Sequence, residues 1–286
     1  SATCQLITPL YDALKKQVLA SDYLHGDETP IKVLDRDKKG ETHRGFFWVY
    51  HNSLADLVLF DYQPGRGREG PVAMLKDFKG HLQTDGYSAY NIFKERKDVT
   101  LLHCMAHARR KFFEAQKNDA VRADYALKQI QLLYAIERKA NEKQLTEAQV
   151  AELRKEESVP ILESLGSWMK QAYTEVLPKS VIGKALAYSI ERWQRLSLYT
   201  SDGKLNIDNN PVENAIRPVA IGRKNYLFAG SHEAAQRSAM LYSLLGTCKL
   251  HDVNPFTWLK DVLPRIATHP FSKVHELLPH NWQQPA

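Results

Sequence analysis

The spacing of apolar positions changes several times along this chain, and each change marks an element. Residues 7–19 carry apolar side chains at helical spacing, and after Asp22 the pattern gives way to Tyr23-Leu24-His25-Gly26-Asp27, which predicts a strand ending on the acid. A short apolar run over 31–34 follows Pro30 and ends in the polar turn Asp35-Arg36-Asp37-Lys38-Lys39-Gly40. Strand formers resume over 45–50 and again over 57–62, with Asn52 and Ser53 closing the first of these runs. Together they predict a three-strand antiparallel meander with short connections.

Beyond the loop at 64–68, Val72, Leu75 and Phe78 fall on one helical face. His81-Leu82-Gln83-Thr84-Asp85-Gly86 reads as a second strand that ends on an acid. Residues 87–93 read as a short helix, 99–104 as a strand and 106–115 as a helix rich in Arg and Lys. Strands separated by helices imply crossovers, so the expected sheet is mixed and the fold class α/β. From 119 to 199 the pattern becomes long and amphipathic with no convincing strand, and Pro160 and Pro178 mark breaks between helices. The expected division is a helical lead-in at 1–22, a core at 23–118, a helical insertion at 119–200, the remainder of the core at 201–250 and a tail at 251–286.

Composition narrows the function classes without choosing one. Of the 286 residues, 43% are hydrophobic and 25% charged, which excludes a disordered chain, and no apolar run is long enough to span a bilayer. No secretory leader pattern is read at the start. Cys4, Cys104 and Cys248 are too few and too widely spaced for a disulfide framework, so a reducing cytoplasm is expected. The net charge of +6 suits a polyanionic partner but identifies none. A chain that begins on Ser1 is expected to be processed or to be part of something longer.

Two acids at strand ends and a third on a later helix fit two-metal phosphoryl transfer. Carboxylates are the hard oxygen ligands that magnesium prefers, and ions ~3.5–4 Å apart stabilise both attacking and leaving oxygens. Asp27, Asp85 and Glu213 supply that set, and Gly86 would let a phosphate or metal approach the backbone closely. Each also has a simpler explanation. Asp-Gly is a common turn signal, and Asn210, Pro211 and Glu213 fit the N-cap, first and third positions of a helix, which resembles a capping box. On residue physics alone, capping stands ahead of metal binding for Glu213.

Five blocks in series shift that balance. His25-Gly26-Asp27-Glu28-Thr29-Pro30, Thr84-Asp85-Gly86-Tyr87, the run from Cys104 through His107 to Phe112, the run from Asp208 through Glu213 to Pro218, and Gly222-Arg223-Lys224-Asn225-Tyr226 through Ser231 resemble the signature blocks of insertion-sequence-66 family transposases. Pro255-Phe256-Thr257-Trp258-Leu259 and Glu276-Leu277-Leu278-Pro279 match in kind, and the order is that of the family. The resemblance implies a ribonuclease-H-like mixed sheet with flanking helices and an all-helical insertion before the last acid. It also implies a DDE transposase whose catalytic and metal-binding acids are Asp27, Asp85 and Glu213, with two Mg2+ or Mn2+ ions. The implied partners are DNA, as transposon ends and as target, a homo-oligomer assembled on DNA, and accessory proteins of the same element. The implied location is the bacterial cytoplasm, on the nucleoid. The family's N-terminal part, thought to carry a helical region and a zinc-binding segment, has no counterpart here, so the resemblance reaches the catalytic part.

Several further residues have competing readings. Cys104 and His107 have C-x2-H spacing, but two ligands fall short of a structural zinc site, and a structural role is preferred. Arg109, Arg110, Lys111, Arg223 and Lys224 are candidate DNA-phosphate contacts, against the plain alternative of a solvated face. Phe46, Phe47 and Trp48 read as core. A stand-alone nuclease and a catalytically inactive DNA-binding or assembly remnant remain alternatives to the transposase.

Overall fold

The computed structural model describes residues 5–34 and 41–284; the polar turn expected at 35–40 lies outside them. Helix α1 (Thr8–Leu19) buries Leu10, Leu14 and Val18, the i, i+4, i+8 stripe seen in the sequence. Strands β1 (Tyr23–Leu34), β2 (Thr42–Asn52) and β3 (Leu57–Gln63) form the expected antiparallel meander in unbroken register.

One boundary differs from expectation. Strand β1 does not end on Asp27 but runs on through Pro30 to Leu34. The proline is tolerated because of the side its nitrogen faces. Alternate residues of a strand direct their main-chain groups to the same side. Lys32 accepts a hydrogen bond from the Ala229 N–H at 2.8 Å, and the Leu34 N–H donates to the Ala229 oxygen at 2.8 Å, both on the side away from β2. Pro30 shares their parity, and its oxygen accepts from the Arg223 guanidinium at 2.6 Å. The missing N–H therefore removes nothing from the β1–β2 ladder.

The full sheet order is β3-β2-β1-β4-β5, with β4 spanning Gly80–Thr84 and β5 spanning Val99–His103, giving the mixed α/β sheet of a ribonuclease-H-like fold. Helix α2 (Glu69–Met74) is shorter than the spacing of Val72, Leu75 and Phe78 suggested. Val72 is 40% exposed, and the buried Leu75 and Phe78 lie beyond the helix end. The short helix expected at 87–93 is a 3-10 helix over Ser88–Glu95. Gly26 accommodates the Tyr90 ring from this segment, since a Cβ there would sit 3.0 Å from the Tyr90 hydroxyl.

Residue contacts divide the chain into two units, one of residues 1–82, 88–100 and 211–286 and the other of residues 83–87 and 101–210. In the first unit, α8 (Asn210–Gly222, from Pro211 on) and α9 (His232–Leu250) pack on the meander. Val212, Ile216 and Val219 of α8 and Ala235 and Ala239 of α9 share a buried cluster with Ile31, Val33, Phe47, Val49, Val58 and Phe60. Helix α9 also covers the outer edge of β3. Ser243 and Thr247, one turn apart, accept the Phe60 and Val58 N–H groups at 2.8 and 3.4 Å, which removes two of the donors an edge strand would otherwise offer to another chain. Helix α10 (Pro255–Ile266) is capped by Asn254, and Trp258 is buried with its indole N–H on the Leu277 oxygen at 2.9 Å.

The second unit is helical. It comprises α3 (Met105–Ala115), α4 (Ala120–Glu142), α5 (Glu147–Leu153), a π-helical turn (Arg154–Ser158), α6 (Val159–Thr174), α7 (Val181–Ser197) and a 3-10 turn (Leu198–Ser201). Asp119, Thr146 and Ser180 cap α4, α5 and α7. Pro160 falls in the first turn of α6, and Pro178 lies between α6 and α7, where proline is compatible with helix boundaries. The π turn carries Arg154, 3% exposed, into the interior. Its guanidinium meets the Glu137 carboxylate at 2.9 and 2.6 Å and the Tyr199 and Asp202 oxygens at 2.9 and 2.8 Å. One side chain thereby joins α4, the π turn and the segment that leaves α7.

Candidate active site

The three acids of the sequence pattern occupy distinct supports. Asp27 lies mid-strand on β1, opposite Val49 of β2, and is half-buried. Its Oδ1 accepts the Glu28 N–H at 2.7 Å. Strand alternation puts Asp27 on the same face as Ile31 and Val33, and Val49 belongs to the cluster that those residues form with α8. Glu213 follows the fully buried Val212 in the first turn of α8 and is half-buried itself. Within the first unit, Asp27 therefore points to the sheet face that α8 covers, and Glu213 is carried by the helix that covers it. Glu28, one residue on and of opposite parity, takes the other face and receives the Arg66 Nε at 2.8 Å.

Asp85 belongs to the second unit and follows the last residue of β4. It opens a tight turn. Its Oδ1 accepts the Tyr87 N–H at 2.7 Å, the Thr84 hydroxyl accepts the Gly86 N–H at 3.2 Å, and Gly86 has φ +88°, where a side chain is strained. Helix α7 supplies two groups to this turn. The Tyr188 hydroxyl donates to the Asp85 oxygen at 3.1 Å, and the Arg192 guanidinium lies 4.2 Å from the centre of the Tyr188 ring. A Cβ on Gly86 would stand 3.1 Å from Arg192 Nε. Burial pushes the Tyr188 hydroxyl up to about 12, with the Arg192 charge acting against the shift and the Asp85 charge adding to it, so Tyr188 stays a neutral donor.

Tyr188 and Arg192 are absent from the set that sequence reasoning singled out. Their signal was an i, i+4 Tyr-Arg pair on one face of an amphipathic segment, which also fits an ordinary exposed helix.

The start of α8 is held differently from the expected capping. Asn210 is the first helical residue, and the side chain of Asp208 accepts its N–H at 3.0 Å and its Nδ2 at 2.8 Å. Asp208 is 6% exposed and also receives the Tyr134 hydroxyl at 2.9 Å, an acid and a partner that together raise the Tyr134 pKa behind the larger effect of burial. The buried Cys104 thiol accepts the Asn209 N–H at 3.2 Å. Within the second unit, Cys104 and His107 bring a sulfur and a ring nitrogen within 4.8 Å of each other.

Among the candidate phosphate contacts, Arg109 and Arg110 are exposed on α3, and Lys111 pairs with Glu114 at 3.6 Å. Lys224 is exposed, whereas Arg223 is partly committed to Pro30. Phe47 and Trp48 are fully buried and Phe46 is 7% exposed, as expected of core. Among the described residues no helix is long and apolar enough to cross a membrane.

The family model described as the Transposase IS66 family matches residues 1–237, and the IS66 C-terminal element matches residues 243–280. Curated relatives include three Sinorhizobium fredii proteins carried as uncharacterized. Protein y4hP is 33% identical over 99% of this chain and 54% of its own length, y4qI 34% over 97% and 54%, and y4jD 29% over 97% and 57%. The chain thus spans about half the length of the curated relatives it matches. No solved structure matches it. On the strength of the two family matches, which run in order along nearly its whole length, the chain belongs to the IS66 transposase family.

Proposed function

We propose that this chain is the catalytic part of a DNA transposase and that Asp27, Asp85 and Glu213 hold two divalent ions, Mg2+ or Mn2+, for cleavage and strand transfer. The observation that carries the reading is the delivery of Asp27 and Glu213 to one side of the sheet in the first unit, by a strand and by the helix packed upon it. The strand before Asp85 is β1's neighbour in the sheet order. The donor set fits the ions: three half-buried carboxylates are hard oxygen ligands of the kind magnesium takes. When bound, such ions activate a water or a 3′-hydroxyl and neutralise charge on the attacking and leaving oxygens.

The remaining work falls to the chain. Asp208 fixes the first residue of the helix that bears Glu213. Tyr188 holds the main chain of the Asp85 turn, and Arg192 places a positive charge beside it, suited to a phosphate that approaches over Gly86. These are positioning roles. DNA, as transposon ends and target, is the proposed substrate, and a homo-oligomer on DNA is the proposed working form, with accessory proteins of the element as further partners.

Replacing Mg2+ by Fe2+ with peroxide and ascorbate tests the site, because hydroxyl radicals cut the polypeptide near the bound iron. Scission clustered near residues 27, 85 and 213, and suppressed by excess Mg2+, is expected. Scission elsewhere, indifferent to Mg2+, would remove the three acids from the proposal.

A further inference from the structure

Lys32 of β1 and Arg44 of β2 are direct cross-strand partners. Like charges placed opposite one another destabilise a strand pair, so the arrangement calls for an explanation. A third cation joins them: Arg223, from the connection after α8, is fixed to the Pro30 oxygen at 2.6 Å. The three line one concavity of about 450 Å³ in the first unit, together with Pro30, Ile31 and Leu227, and among the described residues no acid lines it. Among the described residues no ion pair offsets Lys32, Arg44 or Arg223. Arg44 is further held over the Phe46 ring at 5.5 Å. Leu227 is 83% exposed at the rim, an apolar surface left in water.

Three cations with no ion pair among the described residues, around a small hollow with apolar walls, make an anion site with a place for something flat or apolar beside the anion. The volume suits one nucleotide. Lys32 and Arg44 share the parity of Glu28, so they leave the sheet on the face opposite Asp27. We infer that this concavity binds one nucleotide of an unpaired DNA strand, with Lys32, Arg44 and Arg223 on its phosphate and Pro30 and Leu227 against sugar and base. This inference rests on the DNA-processing reading, but it is independent of the metal ions.

The test is fluorescence anisotropy of a labelled 12-nucleotide single strand, titrated with the protein in EDTA at several salt concentrations. The Lys32→Gln/Arg44→Gln variant should raise Kd about tenfold and reduce the salt slope by about 0.7, the value for one single-strand phosphate contact. The charge-keeping Lys32→Arg/Arg44→Lys variant should bind like the wild type, and Lys155→Gln/Lys273→Gln, which removes two exposed charges elsewhere, should leave the slope unchanged. A duplex of the same sequence should lose less affinity than the single strand in the Gln variant, and millimolar inorganic phosphate should not displace the strand. The inference is overturned if the Gln variant changes no more than the Lys155/Lys273 control, if duplex and single strand lose equally, or if phosphate alone displaces the strand. Because metal is absent throughout, failure of the three-acid reading leaves these outcomes unaltered.

Discussion

The Tyr188 hydroxyl donates to the Asp85 main-chain oxygen at 3.1 Å, so a helix of the all-helical segment fixes the turn that carries one of the three acids. Tyr188→Phe keeps the ring under Arg192 and removes that single bond. The expected result is a loss of about 1 kcal/mol in stability and a five- to tenfold slower DNA joining rate with an unchanged KM for DNA. Rates measured against DNA concentration check it. An unchanged rate would mean that the turn holds itself.

Gly86→Ala tests the same turn from the backbone. With φ +88° and Arg192 Nε 3.1 Å from the new Cβ, the substitution is expected to cost about 1–2 kcal/mol and to displace the guanidinium. Chemical denaturation reads the first effect, and the salt dependence of DNA binding reads the second. A neutral outcome in both would show that neither strain nor contact matters there.

Arg154→Met removes the buried cation that joins Glu137 to the Tyr199 and Asp202 oxygens. Leaving Glu137 and two carbonyls without their partner should cost about 3–5 kcal/mol. Lys155→Met, next to it and 74% exposed, should stay within about 0.5 kcal/mol. Equal thermal midpoints for the two variants would contradict the role given to Arg154.

His51 sets an acid limit on stability. It is 2% exposed at the end of β2, and burial lowers its pKa to about 4 despite the opposing effect of Asp56. Below pH 6.5 the unfolded chain takes up a proton that the folded chain refuses until about pH 4. The contribution is therefore fully present above pH 6.5 and is lost as pH falls to about 4, by on the order of 3 kcal/mol. His51→Leu should flatten the pH dependence of denaturant unfolding across that window. The same slope in wild type and variant would assign the acid sensitivity elsewhere.

How far the sequence disclosed this arrangement depends on the kind of signal. Alternation along 23–62 gave the meander, and amphipathic spacing gave the helices of 119–199, because burial on one face imposes a period. The continuation of β1 through Pro30 was not legible: it depends on Arg223 and Ala229, almost 200 residues away, reaching the side of the strand that the proline faces. Capping chemistry was misplaced by two residues for a similar reason, since Asp208 is anchored by the distant Tyr134. Asp27, Asp85 and Glu213 stood out through family-like blocks. Lys32 and Arg44 did not, because a cross-strand pair of like charges becomes visible only when the register is known.

The measurement that bears most directly on the central claim is the joining of a pre-cut DNA end with a free 3′-hydroxyl to target DNA, at concentrations that bypass end recognition. The wild-type chain should join in Mg2+ or Mn2+ and not in EDTA. Asp27→Asn, Asp85→Asn and Glu213→Gln should each abolish joining with unchanged circular dichroism, and their combination should do no more than any one of them. Joining near the wild-type rate by any single variant, or joining without a divalent ion, would contradict the three-acid account.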